Sequence, residues 1–133
     1  MLSTPTAGQF RKASTSSPQQ ACVMVYRDDH RTLVWDDKLA TVDTAHTSVP
    51  LDQCLSFDHD QFEVILEAIR AGTPVRRILL IACTTDGRYE FSAAPEYAPT
   101  AGSARLVFDH REYSAFVEAV RRNEFGRSAF AAN

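Results

Sequence analysis

This 133-residue sequence has no long apolar run, few glycines and few cysteines. No segment approaches the roughly eighteen apolar residues of a membrane-crossing helix, and the first twenty residues lack the apolar core of a secretory signal, so we expect a cytoplasmic protein. The five glycines form no phosphate-binding loop. The three cysteines, Cys22, Cys54 and Cys83, are spaced for neither a disulfide framework nor a CxxC metal site. We expect reduced, mostly buried thiols, with Cys22 and Cys83 as small core residues.

The charge is low and unevenly placed. Lys and Arg number 14 against 17 Asp and Glu, and the formal net charge of -3 disfavours nonspecific binding to nucleic acid. No Lys or Arg occurs from Leu39 to Ile69, where six carboxylates lie: Asp43, Asp52, Asp58, Asp60, Glu63 and Glu67. This acidic block is either an ordinary solvated surface or a surface complementary to a basic partner.

The most informative pattern is an internal repeat. Residues 55–72 align without gaps on residues 106–123, with seven identities in eighteen positions. We interpret this match as a duplication. Each copy predicts a helix that begins at an aspartate and carries a capping box, formed by Asp58 with Gln61 and by Asp109 with Glu112. Apolar residues then follow at helical spacing, and Gly72 is the predicted C-cap of the first helix.

Three short apolar segments precede each predicted helix. The predicted strands are residues 22–26, 33–35 and 54–57 in the first half, and residues 78–83, 89–91 and 106–108 in the second. We therefore predict an α+β protein built from two repeats of a strand-strand-strand-helix unit, with antiparallel sheets in a pseudo-twofold arrangement. The predicted segments are a disordered N-terminal segment 1–9, a first repeat 10–73, a second repeat 74–126 and a C-terminal tail 127–133.

Catalytic and metal-binding patterns are weak, and we expect no enzyme activity, no metal and no cofactor. His59 and His110 begin the two helices, and a cleft between the repeats lined by them would suit a small-molecule sensor or an enzyme. Five arginines, Arg70, Arg76, Arg77, Arg121 and Arg122, allow direct DNA binding, which ranks lowest because the rest of the chain is acidic. Trp35 is either a core residue or a partly exposed interface anchor.

Four segments occur in an order that resembles a known family. They are Phe10-Arg11-Lys12-Ala13-Ser14, Cys22-Val23-Met24-Val25, Trp35-Asp36-Asp37-Lys38, and Leu106-Val107-Phe108 through Asn123-Glu124-Phe125. Together they resemble the small actinobacterial BldB-like domain family of unknown function, here in a tandem or pseudo-dimeric form. Phe10 stands where the family usually has Trp, Ala13 replaces a Ser, and the second half has no clear copy of the Arg-Lys-Ser start.

The resemblance implies a non-enzymatic regulatory protein without a cofactor. Its partner would be a helix-turn-helix DNA-binding regulator in development, secondary metabolism or an antitoxin-like pair, and a homodimer is the second assembly it allows. The partner-binding residues that it points to are Arg11, Lys12, Trp35, Asp36, Asp37 and Lys38.

Overall fold

The computed structural model describes residues 5–14, 22–40 and 47–126. They form two three-stranded antiparallel sheets and three helices, which confirms the predicted α+β class. The elements in chain order are β1 (Val23–Arg27), β2 (Thr32–Asp36), β3 (Leu55–Phe57), α1 (His59–Ala71), β4 (Leu79–Cys83), β5 (Tyr89–Ala93), α2 (Ala98–Ala101), β6 (Leu106–Phe108) and α3 (His110–Arg121). None of these helices is long and apolar enough to cross a membrane.

Each sheet joins its strands in sequence order, β1-β2-β3 and β4-β5-β6. Both predicted hairpins are present, with Arg27 opposite Thr32 in the first and Cys83 opposite Tyr89 in the second. The second hairpin turns at Gly87, whose φ of 82° lies in the left-handed region that glycine tolerates. The Asp86-Gly87 turn therefore joins β4 and β5 at the place where the sequence predicts a hairpin.

The helix starts are confirmed at both predicted aspartates. The Asp58 carboxylate accepts the Gln61 backbone N–H at 2.7 Å, and Asp109 accepts that of Glu112 at 2.8 Å. Gly72 ends α1 in the left-handed conformation, and Asn123, with a φ of 61°, holds the same conformation just beyond α3. Asn is the residue after Gly that best tolerates this geometry, since its short polar side chain bonds locally.

One continuous apolar core joins the two halves. It includes Leu55 and Phe62 from the first half and Phe108 and Phe116 from the second, all almost completely buried. A smaller cluster lies on the opposite face of the first sheet and consists of Phe10, Met24, Leu33, Trp35, Val49 and Cys54. Alternation along β1 and β2 explains this division, because successive side chains point to opposite faces of a strand.

The start of the chain differs from the prediction. Residues 5–9, expected to be disordered, include a short 3-10 turn at Ala7–Gln9. The Val49 N–H donates to the carbonyl of Pro5 at 2.9 Å, and Phe10 packs 5.7 Å from Trp35. Apolar contact with the outer face of the first sheet thus orders a segment whose composition alone indicates disorder. The rest of that predicted segment and the tail 127–133 lie outside the described residues.

The structure separates the three cysteines and the tryptophan by burial. Cys83 is exposed, so its prediction as a core residue is wrong; it lies at the hairpin end of the edge strand β4. Cys22 and Cys54 are buried. Trp35 is 0% exposed, which agrees with the core alternative.

Candidate functional site

An ion cluster around Lys38 connects the two halves of the chain. Lys38 lies in a 3-10 turn directly after β2, and the Asp36 carboxylate caps that turn by accepting the Lys38 backbone N–H at 2.9 Å. The Lys38 Nζ lies 2.8 Å from Glu112 Oε1 and 3.2 Å from Asp36 Oδ1. It also lies 4.6 Å from the ring centroid of Phe108. Lys38 therefore ties the end of β2 to the start of α3.

The electrostatics of this cluster keep its ion pair charged at neutral pH. Burial alone would lower the pKa of Lys38, but its hydrogen bond to Glu112 and the charge of Asp36 raise it. Burial alone would raise the pKa of Glu112, yet hydrogen bonds from Cys22 and Lys38 hold it below its ordinary value. Burial and the neighbouring Glu112 raise the pKa of the Cys22 thiol to about 12. The thiol is thus a hydrogen-bond donor and a poor nucleophile.

The cluster forms one wall of an open cleft of about 540 Å³. Two exposed arginines, Arg88 and Arg105, lie on the cleft, and within the described residues their ion pairs are long, to Asp86 at 3.5 Å and to Glu90 at 3.7 Å. The cations and carboxylates that line the cleft are balanced in number, namely Lys38, Arg88 and Arg105 against Asp36, Asp109 and Glu112. The described residues that line the cleft therefore carry no excess of formal charge of either sign.

The structure brings together most of the partner-binding residues that the resemblance points to. The Lys12 Nζ contacts Asp37 Oδ2 at 2.9 Å, next to the Asp36 and Lys38 pair. Arg11 exchanges two backbone hydrogen bonds with Val25 at the edge of β1. Among the described residues, Trp35 makes no contact of this kind at the surface. Its ring is buried, and its Nε1–H donates to Gln53 Oε1 at 3.1 Å. Trp35 cannot reach a partner unless the residues that cover the outer face of the first sheet, Phe10 among them, move away.

The two histidines at the helix starts belong to different clusters. The His59 Nδ1 lies 3.4 Å from the Arg27 Nη2, whereas the His110 ring lies beside Tyr89 and Ser114. Across the described ranges, no group of three or more His, Cys, Asp or Glu side chains is placed to hold a metal ion.

Arg27 is a site residue that the sequence reading missed. It is buried at the end of β1, where its Nη1 donates to Glu63 Oε2 at 2.9 Å and to the Phe125 carbonyl at 3.0 Å. Its guanidinium also lies 4.9 Å from the centroid of the Phe62 ring. Arg27 thus ties β1 to α1 and to the segment that follows α3. The one feature of the sequence that points to this role is an arginine at the end of an apolar strand.

The outer face of α1 carries three carboxylates of the acidic block; Asp52 lies in a 3-10 turn before β3, and Asp58 is the N-cap of α1. Asp60, Glu63, Val64 and Glu67 are all exposed and follow the spacing of one helix face. Val64, at 42% exposure, is one of the few large apolar side chains on the surface. Asp43 of the acidic block lies outside the described residues. The acidic side chains of α1 thus surround an exposed apolar one.

Comparison with protein-family models, curated proteins and solved structures finds no match for this chain. The candidate sites must therefore be judged from their own geometry and chemistry.

Proposed function

We propose that this protein is a non-enzymatic regulator, acting in the cytoplasm, that binds a helix-turn-helix DNA-binding protein through the outer face of α1. The observation that carries the proposal is the exposed stripe of Asp60, Glu63 and Glu67 around Val64. DNA-binding proteins present basic surfaces, and opposite potentials across an interface speed association and select the partner. An apolar side chain within the charged stripe adds area that contact with a partner would bury.

The carboxylates of this stripe are only partly used within the chain. Asp60 has no ion pair with any side chain in the described ranges, and Glu67 has only a 3.5 Å contact with Arg70. Glu63 binds the buried Arg27 but keeps 47% of its side chain exposed. Like charges three and four residues apart destabilise a helix by roughly 0.2–0.5 kcal/mol per pair. A basic partner would relieve that repulsion, which favours binding at this face.

The matching face of α3 has a different charge. At an offset of 51 residues, Arg111 stands in the place of Asp60 and Ser114 in the place of Glu63, while Glu118 corresponds to Glu67. Glu118 forms a 2.8 Å ion pair with Arg122. A basic partner would therefore favour the face of α1 over that of α3, and the two helices provide a matched internal comparison.

We also propose that the halves are tandem copies of one unit, arranged about a pseudo-twofold axis in the manner of a fused dimer. Support comes from details that recur at the 51-residue offset. Both helices begin with a capping box and are followed by a left-handed residue, Gly72 or Asn123. The backbone bonds from Thr73 to Ala68 and from Glu124 to Ala119 recur at the same offset. One unit of about sixty residues buries little apolar surface, which gives the fusion a physical reason.

The test is a pull-down of the tagged full-length chain, expressed at its normal level in its native cells, with mass spectrometry of the bound proteins. We expect the wild type to recover a helix-turn-helix protein. The double variant Asp60→Asn, Glu67→Gln should recover at least about tenfold less of it, because two complementary charges are lost from the interface. Both substitutions preserve side-chain shape at exposed positions, so folding should be unchanged.

Glu118→Gln is the matched control, because it removes the corresponding charge from α3. This control should recover as much partner as the wild type. Recovery of no DNA-binding protein by the wild type, or equal recovery by the double variant, would overturn the proposal.

A further inference from the structure

A groove of about 500 Å³ lies beside α3, away from the acidic stripe. Its aromatic part is a stack of Tyr89 on Tyr113, with ring centroids 4.0 Å apart and planes 15° from parallel. The His110 ring lies 6.3 Å from Tyr89 and extends this row toward the helix start. The volume lies within the range of roughly 300–1,000 Å³ that is usual for small-molecule sites.

The charges around the groove leave one cation unbalanced. Arg122 pairs with Glu118 at 2.8 Å, so these two side chains largely neutralise each other. Arg121 also lines the groove, is exposed, and forms no ion pair with any side chain in the described part of the chain. The groove therefore combines a flat apolar surface with an available guanidinium, a group suited to bind a carboxylate in bidentate geometry.

The corresponding surface of α1 is closed by the chain itself. There, Arg27 lies over Phe62, the counterpart of Tyr113, and bonds to Glu63 and to the Phe125 carbonyl. In the second sheet, Cys83 takes the place of Arg27 opposite the neighbouring strand, and it is exposed. The short Cys83 side chain and Ser114 in the position of Glu63 leave the surface of α3 open.

We propose that this groove binds a small organic anion with a flat aromatic ring. The ring would lie against the tyrosine pair and Val117, and the carboxylate would bind Arg121. Ser114 and His110, which lie 3.5 Å apart, provide further polar groups at the other end. A cationic ligand is disfavoured, since the unpaired charge of Arg121 would repel it. This site is independent of the proposed partner-binding face on α1.

The tyrosine hydroxyls add donors to the groove. Burial and the neighbouring Tyr89 raise the pKa of Tyr113, and the charge of Arg121 opposes this only in part. The Tyr113 hydroxyl therefore stays protonated at neutral pH, so it can donate to an anion.

The experiment uses the full-length chain and three probes: 2-naphthoate, its neutral analogue 2-naphthalenemethanol, and inorganic phosphate. Amide chemical shifts are followed by NMR during titration. We expect 2-naphthoate to bind saturably and to shift amides of Tyr89 and residues 110–122. The neutral probe and phosphate should each bind at least about tenfold more weakly, because each lacks one of the two recognised features.

Variants test the role of the free guanidinium. Arg121→Gln should weaken 2-naphthoate binding by at least about fivefold, whereas Glu118→Gln should strengthen it about twofold by releasing Arg122. Arg76→Gln is the control, because Arg76 is equally exposed but lies between α1 and β4. The proposal fails if no saturable shift occurs along α3, if the three probes bind equally, or if Arg121→Gln behaves like Arg76→Gln.

Discussion

At the scale of single residues, Arg27 joins three parts of the fold. Only 1% of its side chain is exposed, and from the end of β1 it bonds to Glu63 of α1 and to the Phe125 carbonyl after α3. Glu63, in contrast, remains half exposed and can stay hydrated if Arg27 is lost. Loss of Arg27 should therefore lower the free energy of unfolding because space is left unfilled and the Phe125 carbonyl loses its donor. The Glu63 carboxylate should contribute little to this loss.

Replacing Arg27 tests this account of its role. Arg27→Met keeps much of the side-chain volume but removes the donors, so we expect the free energy of unfolding to fall by about 2 kcal/mol. Urea denaturation followed by circular dichroism measures the change. Arg76→Met, at an exposed position, should change stability by less than about 0.5 kcal/mol. A loss of stability no larger than that of Arg76→Met would show that the contacts of Arg27 contribute little to the fold.

The cysteines provide a second test at this scale. Burial raises the pKa of both Cys22 and Cys54 to about 12, whereas Cys83 is exposed. At pH 8 the two buried thiols should contain about a thousandfold less thiolate than the same thiols in the unfolded chain, since the pKa is about 12 instead of 9.0 and each increase of one in the pKa lowers the thiolate fraction tenfold.

A thiol-reactive disulfide reagent should therefore titrate one cysteine rapidly in the native protein and three in guanidinium chloride. Cys83→Ser should abolish the rapid phase at pH 8. Rapid reaction of a second native thiol would contradict the burial of Cys22 or Cys54.

At the scale of elements, local signals explain most of what the sequence predicts correctly. The capping residues, the 3.6-residue apolar period and the Asp-Gly turn act over a few residues, so α1, α3 and the second hairpin could be predicted from them. The first hairpin was predicted from its two apolar segments, and the short helix α2 was not predicted. Three features depended on distant contacts and were missed or misjudged: the ordering of residues 5–9 on the first sheet, the exposure of Cys83 and the burial of Arg27. Arg27, for example, bonds to the carbonyl of Phe125, 98 residues further along the chain, and no local sequence pattern predicts such a contact.

The helix caps should contribute measurably to stability. Asp58→Ala and Asp109→Ala each remove an acceptor for a backbone N–H of the first helical turn, so each should reduce the free energy of unfolding by about 1 kcal/mol. Chemical denaturation of each variant measures this. Asp60→Ala, two positions after a cap, should cost less than about 0.5 kcal/mol. If all three variants lost the same amount of stability, the effect would come from negative charge in the first helical turn and not from capping.

At the scale of the whole molecule, the two halves are packed against each other around one core. They share a continuous core, and Lys38 and Arg27 each bind groups in the other half. The predicted boundary between residues 73 and 74 thus separates two similar sequence segments, but it does not separate two hydrophobic cores. Each half alone would expose the apolar surface that the other covers.

This shared core predicts the behaviour of fragments. The full chain should unfold in one cooperative transition, and the separate fragments 1–73 and 74–133 should be largely unfolded by circular dichroism. Mixing the fragments should restore native-like ellipticity in a concentration-dependent way. Two resolved transitions, or a stably folded isolated fragment, would contradict the dependence of each half on the other.

A basic DNA-binding protein docked on the acidic face of α1 should protect that helix from solvent. Hydrogen exchange of the full chain, measured by mass spectrometry with and without the helix-turn-helix protein recovered in the pull-down, tests it most directly. We expect slower exchange confined to α1, weakening as salt screens the charges, and unchanged exchange along α3. Slower exchange along α3 or around Lys38, with none on α1, would contradict it.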